Sequence, residues 1–462
     1  MRFAAGAALI AATLLAVPLA AAERGGSDQA PEWPETKSQP KSDKPDSKAA
    51  DKSDSKTDER PESPVESNPD DPCDPKKLLI DFELRRRLCK SGIGLGVTDL
   101  SLNVDFRPAF HWRGNFFARA YQIHGRGLTL SNTDNLNQIS AIEASATSRL
   151  VELWYEQHFD NWRLRIGQQT IQTEFMNPET ARLFVNGALG WPTLPAIDLP
   201  TGGPGYPLGT PAVRVRIDPK EGLTLFLALF NGDPTGAGVG GPQLRDASGT
   251  AFRTSDGAFV INELRYNQDS SKWNATYRFG GWWHSERFRD LHLDTNGVSL
   301  ASSDSNGRPR QHDNNFSLYG IIDQPFLIDE TKQTSFALFG RAMGAPGDRN
   351  LVNLYLDGGL AYKGPFGRAD DQVGLAVGYA RVGNAARAFD GDVVRLTGQF
   401  HPIRSGETVL ELTYRFQLTG WWQLQPDFQY IFNPGGGIPD PNYPGRRIRD
   451  SAVVGLRTAI TF

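Results

Sequence analysis

Cysteine is nearly missing from these 462 residues: there are two, Cys73 and Cys89, beside three methionines and seven histidines. So few exclude a disulfide-dense scaffold, and the histidines show no metal-ligand spacing, so neither a metal nor a cofactor is expected. Beyond residues 1–22 the chain also lacks any apolar run of the ~20 residues that a membrane-crossing helix needs. A mean hydropathy of -0.43 is far too polar for a bundle of such helices. A surplus of one charge is missing as well, since the formal net charge is -4, too near balance to indicate nucleic acid or an anionic membrane surface as partner. Catalytic signatures are equally scarce. Gly92-Ile-Gly-Leu-Gly96 is glycine-rich without the strand-turn-helix setting of a dinucleotide site, and a strand or barrel turn accounts for it. His284-Ser-Glu286 lacks the Cys pair of a zinc deaminase, and no serine sits in a Gly-x-Ser-x-Gly elbow. Paired-carboxylate hydrolysis stays open on sequence alone, but plentiful acids usually form a solvated face, and no enzyme is expected.

What is present begins with Arg2, an apolar stretch over residues 3–19 and Ala20-Ala21-Ala22. That order reads as a secretory signal over 1–22, cleaved before Glu23. Export puts Cys73 and Cys89 in an oxidising compartment, where they fit one disulfide closing a short loop, worth roughly 3 kcal/mol in the chain-entropy model, or stand as two free thiols. Residues 23–72 are rich in Pro, Ser, Lys and Asp with Trp33 as their one aromatic, too little apolar surface to offset ordering entropy, and read as a disordered periplasmic segment. Within 73–91, Leu79, Ile80, Leu84 and Leu88 among charges suit a short amphipathic periplasmic helix or an irregular lead into the first strand.

From Gly92 the texture becomes short alternating segments broken by Gly, Asn, Asp and Pro. In 409–418, Leu410, Leu412, Tyr414, Phe416 and Leu418 alternate with Val409, Glu411, Thr413, Arg415 and Gln417. Leu164 and Ile166 alternate with Arg163, Arg165 and Gly167, and Val213, Val215 and Ile217 with Arg214 and Arg216. In 373–380 one side is all small, Gly374, Ala376, Gly378 and Ala380, which suggests a crowded interior. A soluble sandwich alternates too. Aromatic residues at strand ends, Trp282, Trp283, Trp421, Trp422, Phe428, Tyr430 and Phe432, favour membrane-interface girdles instead. The chain stops within an alternating segment, 452–462, ending on Phe462. Residues 92–462, roughly 370 in number, divided by ~20 to 25 per strand with its connections, give about 16 strands, enough for an aqueous channel. The expected fold is all-β, a transmembrane antiparallel β-barrel, since only helices and closed barrels satisfy the backbone in lipid.

If Val151, Leu153 and Tyr155 face lipid, then Glu152, Trp154 and Glu156 face the lumen, with Arg163, Arg165, Arg214, Arg216, Glu411 and Arg415. These are the pore-lining candidates, with wall salt bridges as their plainer role. Trp154 beside Arg and Glu would suit a sugar. Residues 189–211, dense in Pro and Gly, predict an extracellular loop folded into the lumen. Residues 290–312 predict plain surface.

The runs Leu150-Val-Glu-Leu-Trp-Tyr-Glu-Gln157, Arg165-Ile-Gly-Gln168, Ala181-Arg-Leu-Phe-Val-Asn186, Phe230-Asn-Gly-Asp-Pro234, Tyr319-Gly-Ile-Ile-Asp-Gln324, Gly367-Arg-Ala-Asp-Asp371 and Leu424-Gln-Pro-Asp-Phe-Gln-Tyr-Ile-Phe-Asn-Pro-Gly-Gly436 resemble, in order, the carbohydrate-selective porin family of the OprB type. The resemblance covers residues 78–462. It implies a 16-stranded outer-membrane barrel, a lumen constricted by charged residues including arginines, and passive diffusion of small sugars such as glucose. It assigns residues 23–72 no role. Expected partners are the sugars, outer-membrane lipid, an assembly machinery that reads a terminal aromatic such as Phe462, and the cell wall through 23–72. A general or differently selective porin, a barrel enzyme, and a structural outer-membrane protein with a periplasmic tether are the competing readings.

Overall fold

The computed structural model describes residues 94–462 except 108–111, 126, 130–132 and 271–272, with two short N-terminal stretches, Ala7–Ala8 and Val17–Pro18. The Cys73–Cys89 disulfide, the helix in 73–91 and the segment 23–72 lie outside the described residues. No helix among the described residues is long and apolar enough to cross a membrane.

The chain is dominated by one antiparallel sheet of seventeen strands. Two of these are the short N-terminal stretches, which leaves fifteen full strands. In chain order they are β1 (Leu95–Asp105), β2 (Gly114–Gly125), β3 (Thr147–His158), β4 (Trp162–Gln169), β5 (Thr210–Lys220), β6 (Leu223–Asn231), β7 (Ala258–Ser270), β8 (Trp273–His284), β9 (Asn315–Asp329), β10 (Thr334–Gly344), β11 (Val352–Lys363), β12 (Gln372–Val382), β13 (Gly406–Thr419), β14 (Trp422–Phe432) and β15 (Ser451–Ile460). Each pairs with the next. Short turns such as 159–161, 221–222 and 420–421 join strands at one end. Long connections such as 170–209, 232–257 and 285–314 join them at the other. With fifteen strands alternating in direction, β1 and β15 run the same way. Ala7–Ala8 pairs antiparallel with β1, and Val17–Pro18 with β15.

Period-two alternation sets the two faces. On β6, Leu225, Leu227 and Leu229 are exposed, while Thr224, Phe226, Ala228 and Phe230 are buried on the inner face. On β13, Leu410 and Leu412 point out and Glu411 and Thr413 in. Outward aromatics gather near strand ends, with Trp283 paired to Phe316 and Trp421 stacked near Trp422. Two sequence expectations fail here. Trp282 is buried on the inner face, since adjacent strand residues cannot both point outward. Val151 is the extra residue of a β-bulge, where Arg119 pairs Glu152 and Ala120 pairs Leu150; its side chain is 1% exposed and does not join Leu153 on the outer face.

The connection 170–209 folds over the inner face, as residues 189–211 suggested, but it begins some twenty residues earlier. Its Ile171, Phe175, Met176, Leu194 and Leu199 form one apolar core with Phe226, Phe259, Ile261, Tyr319 and Tyr355 of the sheet. Leu183, Phe184 and Leu189 pack with Phe339, Ala361 and Ala376. A Cβ on Gly374 would meet Leu183 and Phe184 at 2.7 and 2.8 Å, so the small side of β12 is what lets the loop lie flat. At the long-loop end, a hairpin of Phe288–Asp294 and Pro309–His312 leans on the helix Asn384–Thr397 through His292 and Asp392, 2.8 Å apart. Hydrogen bonds with His292, Ser299 and Arg395 hold the Asp392 carboxyl well below the usual carboxylate range.

Candidate functional site

The inner face of β2 to β5 carries a cluster of opposite charges. Register places Arg165 opposite Arg214, and Arg163 opposite Arg216. Like charges directly opposite on adjacent strands destabilise a sheet unless acids intervene. Glu156 of β3 and Glu174 of the inner loop do so. Glu156 meets Arg165 at 2.9 Å and Arg214 at 2.5 Å; Glu174 meets Arg214 at 2.7 Å and Arg165 at 3.4 Å. Two guanidiniums and two carboxylates therefore form one balanced quartet that ties strand to loop. His158 adds a contact to Glu156 at 2.8 Å.

Trp154 sits beside this quartet. The Arg165 guanidinium lies 3.7 Å over its ring, and Phe117 stacks on it at 4.9 Å. Both contacts leave Trp154 only 9% exposed, so its ring serves the arginine more than any solute. Opposite Trp154 stands Gly167, with φ +135°; a Cβ there would come within 2.2 Å of the Leu153 carbonyl oxygen, so a glycine is required where the two strand backbones approach this closely.

The other candidates separate from this group. Glu152 faces inward and receives Arg119 at 3.4 Å and the Thr170 hydroxyl at 3.2 Å, fixing the start of the inner loop. Arg216 pairs with Asp218 at 3.0 Å near a short turn, while Arg163 beside it has no ion-pair partner among the described residues. Glu411 is inward but wholly buried, its two carboxylate oxygens accepting from the Val185 and Asn186 backbone N–H groups at 2.7 and 2.9 Å. Arg415, on the same strand, has no acid partner among the described residues.

Several inward charges escaped the sequence reading. Arg119 is held by Asp99 at 2.9 Å, Arg265 by Glu263, and Arg341 by Asp357. The signal was available on β7, where exposed Leu264 and Tyr266 alternate with Glu263 and Arg265. Glu174 lies in a loop, where no periodicity marks a facing. Glu407, whose oxygens accept from the N–H groups of Leu136, Asn137 and Gly435 at 2.6 to 2.8 Å, serves residues far along the chain.

A large up-and-down antiparallel sheet, apolar outside, charged inside and partly filled by one of its own loops, defines the porin class. The chain belongs to the carbohydrate-selective porin family, OprB type, whose profile matches residues 90–462. The members of that family are outer-membrane β-barrel proteins. Porin B of Pseudomonas aeruginosa is 23% identical over 245 residues, which are 50% of this chain and 52% of that protein, so the chain spans about half the length of the curated relative it matches. An OprB of Pseudomonas putida in its high-pH structure is similar in fold, with TM-score 0.69 and 20% identity, covering 80% of this chain and 88% of that one.

Proposed function

We propose that this chain is a passive channel for glucose and similar small sugars, taking them across the outer membrane into the periplasm. The observation that carries the reading is the quartet of Arg165, Arg214, Glu156 and Glu174 on the inner face. It offers forked donors and carboxylate acceptors side by side with no net charge, which suits neutral hydroxylated solutes over ions. Planar-bilayer recording tests it. Open-channel steps whose current falls as glucose is added are the expected result; steps indifferent to glucose would make it a general porin, and no steps at all a structural protein.

Closure into a barrel is part of the same proposal. Because β1 and β15 run in one direction, one more strand, antiparallel to both, is needed between them, giving sixteen. The leader stretches Ala7–Ala8 and Val17–Pro18 take those edges here.

The terminal aromatic has a separate role in this reading. Phe462 is 70% exposed and follows Thr461, whose N–H closes on the Trp421 carbonyl at 2.9 Å. A side chain so exposed contributes little to the fold and is free to be read by the assembly machinery. Phe462→Ser is expected to lower outer-membrane levels several-fold while the inserted molecules keep the parent's conductance. Unchanged surface levels on immunoblots of membrane fractions would refute it.

A further inference from the structure

Most inward arginines described above have a carboxylate. Arg163, near a short turn, does not, and neither do two that stand together. Arg415 of β13 and Arg457 of β15 have no hydrogen-bond or ion-pair partner among the described residues, and the Nε atom of each is shielded from solvent. They stand on one level of the wall. Arg415 pairs with Gln372, Arg457 pairs with Gln425, and the β13–β14 register sets Arg415 opposite Gln425. That row, Gln372, Arg415, Gln425 and Arg457, holds two amides, two guanidiniums and no acid. The next row toward the short turns is neutral, Gln417, Gln423 and Ala459. On the other side the nearest acids are Asp427 and Glu411. Both Glu411 oxygens accept from loop N–H groups and Asp427 Oδ2 accepts from Gln429 at 2.9 Å; Asp427 Oδ1 has no hydrogen-bond partner among the described residues, and both acids lie within electrostatic range of Arg457 without forming an ion pair with it. The Gln425 amide is fixed to the Leu183 carbonyl at 2.7 Å, so the row lies directly against the inner loop, on its short-turn side.

One strand, β14, lies between them, which puts the arginine backbones about 10 Å apart, a span that two long side chains reaching inward can close around a small anion. A guanidinium matches the oxygen spacing of a carboxylate or phosphate through two parallel N–H donors, and a pair hydrogen-bonded to no protein carboxylate has that capacity unspent. We propose that Arg415 and Arg457 form an oxyanion site on the periplasmic side of the loop, gripping the carboxylate of a sugar acid or a phosphate as it passes. The site rests on the channel reading above but takes a different class of solute, since the balanced quartet of β3 to β5 has no cation to spare for an anion.

Single-channel recording in planar bilayers, with glucose, glucuronate and inorganic phosphate as blockers, tests this. In the parent, glucuronate and phosphate are expected to block at concentrations about tenfold below glucose. Arg457→Gln and Arg415→Gln should each abolish that preference, while Arg457→Lys, which keeps the charge, should retain part of it. Block by phosphate without block by glucuronate would support the site for a tetrahedral oxyanion alone. A parent that is blocked no better by either anion than by glucose, or a preference that survives Arg457→Gln, would overturn the site and leave the sugar channel standing. A parent without channel steps would overturn both.

Discussion

Replacing Glu411 by alanine is expected to raise single-channel conductance and current noise, because it unpins the inner loop. The carboxylate is wholly buried and accepts two backbone N–H groups, Val185 and Asn186, at 2.7 and 2.9 Å. Leaving a buried donor without its partner costs roughly 1–3 kcal/mol, so losing the acceptor of two such donors weakens the docking by about 2–6 kcal/mol. The loop stays tethered elsewhere, by Glu263 to the Met176 N–H at 2.9 Å and by Asp323 to the Thr180 N–H at 2.9 Å, so it should loosen rather than leave. Glu411→Gln, which keeps one acceptor and the volume, should lie between parent and alanine. Conductance and noise equal to the parent's in Glu411→Ala would mean that the apolar contacts alone hold the loop, and limited proteolysis within 170–209 provides the independent check.

Arg165→Ala should have the largest effect on selectivity. In the quartet two positive groups offset two negative ones, and removing one of them leaves Glu156 and Glu174 sharing Arg214. The reversal potential in a salt gradient should move toward cation preference. Block by glucose should weaken, since the quartet loses one of its two forked donors. Breaking a buried ion pair typically costs about 3–5 kcal/mol, so some loss of thermal stability should accompany the change. Arg216→Ala should move the same quantities less, because Arg216 pairs with Asp218 close to a short turn, outside the quartet. Recordings of Arg165→Ala that match the parent in both reversal potential and sugar block would reduce the quartet to a wall strut.

The facing of side chains was legible in the sequence because a strand's period is two and lipid rejects charge on its outer face. That is why Arg165, Arg214, Glu156 and Arg415 were read as inward from Leu164, Ile166, Val213 and Leu410, of which Ile166, Val213 and Leu410 are exposed on the outer face. The reading failed where the period breaks, at the β-bulge carrying Val151, and where two adjacent tryptophans were given one face, at Trp282 and Trp283. What an inward group does was not legible. Glu411 and Glu156 look alike in the sequence, yet one is sealed beneath the loop and the other joins the charged quartet. The difference lies in contacts between residues as far apart as Val185 and Glu411, and no local pattern records them. Residues 189–211 announced an irregular segment through Pro and Gly, whereas 170–188 gave no such sign, and the apolar residues Ile171, Phe175 and Met176 that dock it could equally have belonged to a strand.

The apolar cluster joining Ile171, Phe175, Met176 and Leu194 to Phe226, Phe259 and Tyr355 has a consequence for the order of assembly. Its two halves come from a connection early in the chain and from strands as late as β12, so the cluster cannot form until most of the sheet is in place. The loop therefore settles last, after insertion, when its apolar side chains leave water for a surface the finished wall provides. Once settled, its backbone amides should resist hydrogen exchange nearly as long as those of the strands, so that the segment a reader of the sequence would take for the loosest part becomes one of the slowest to open.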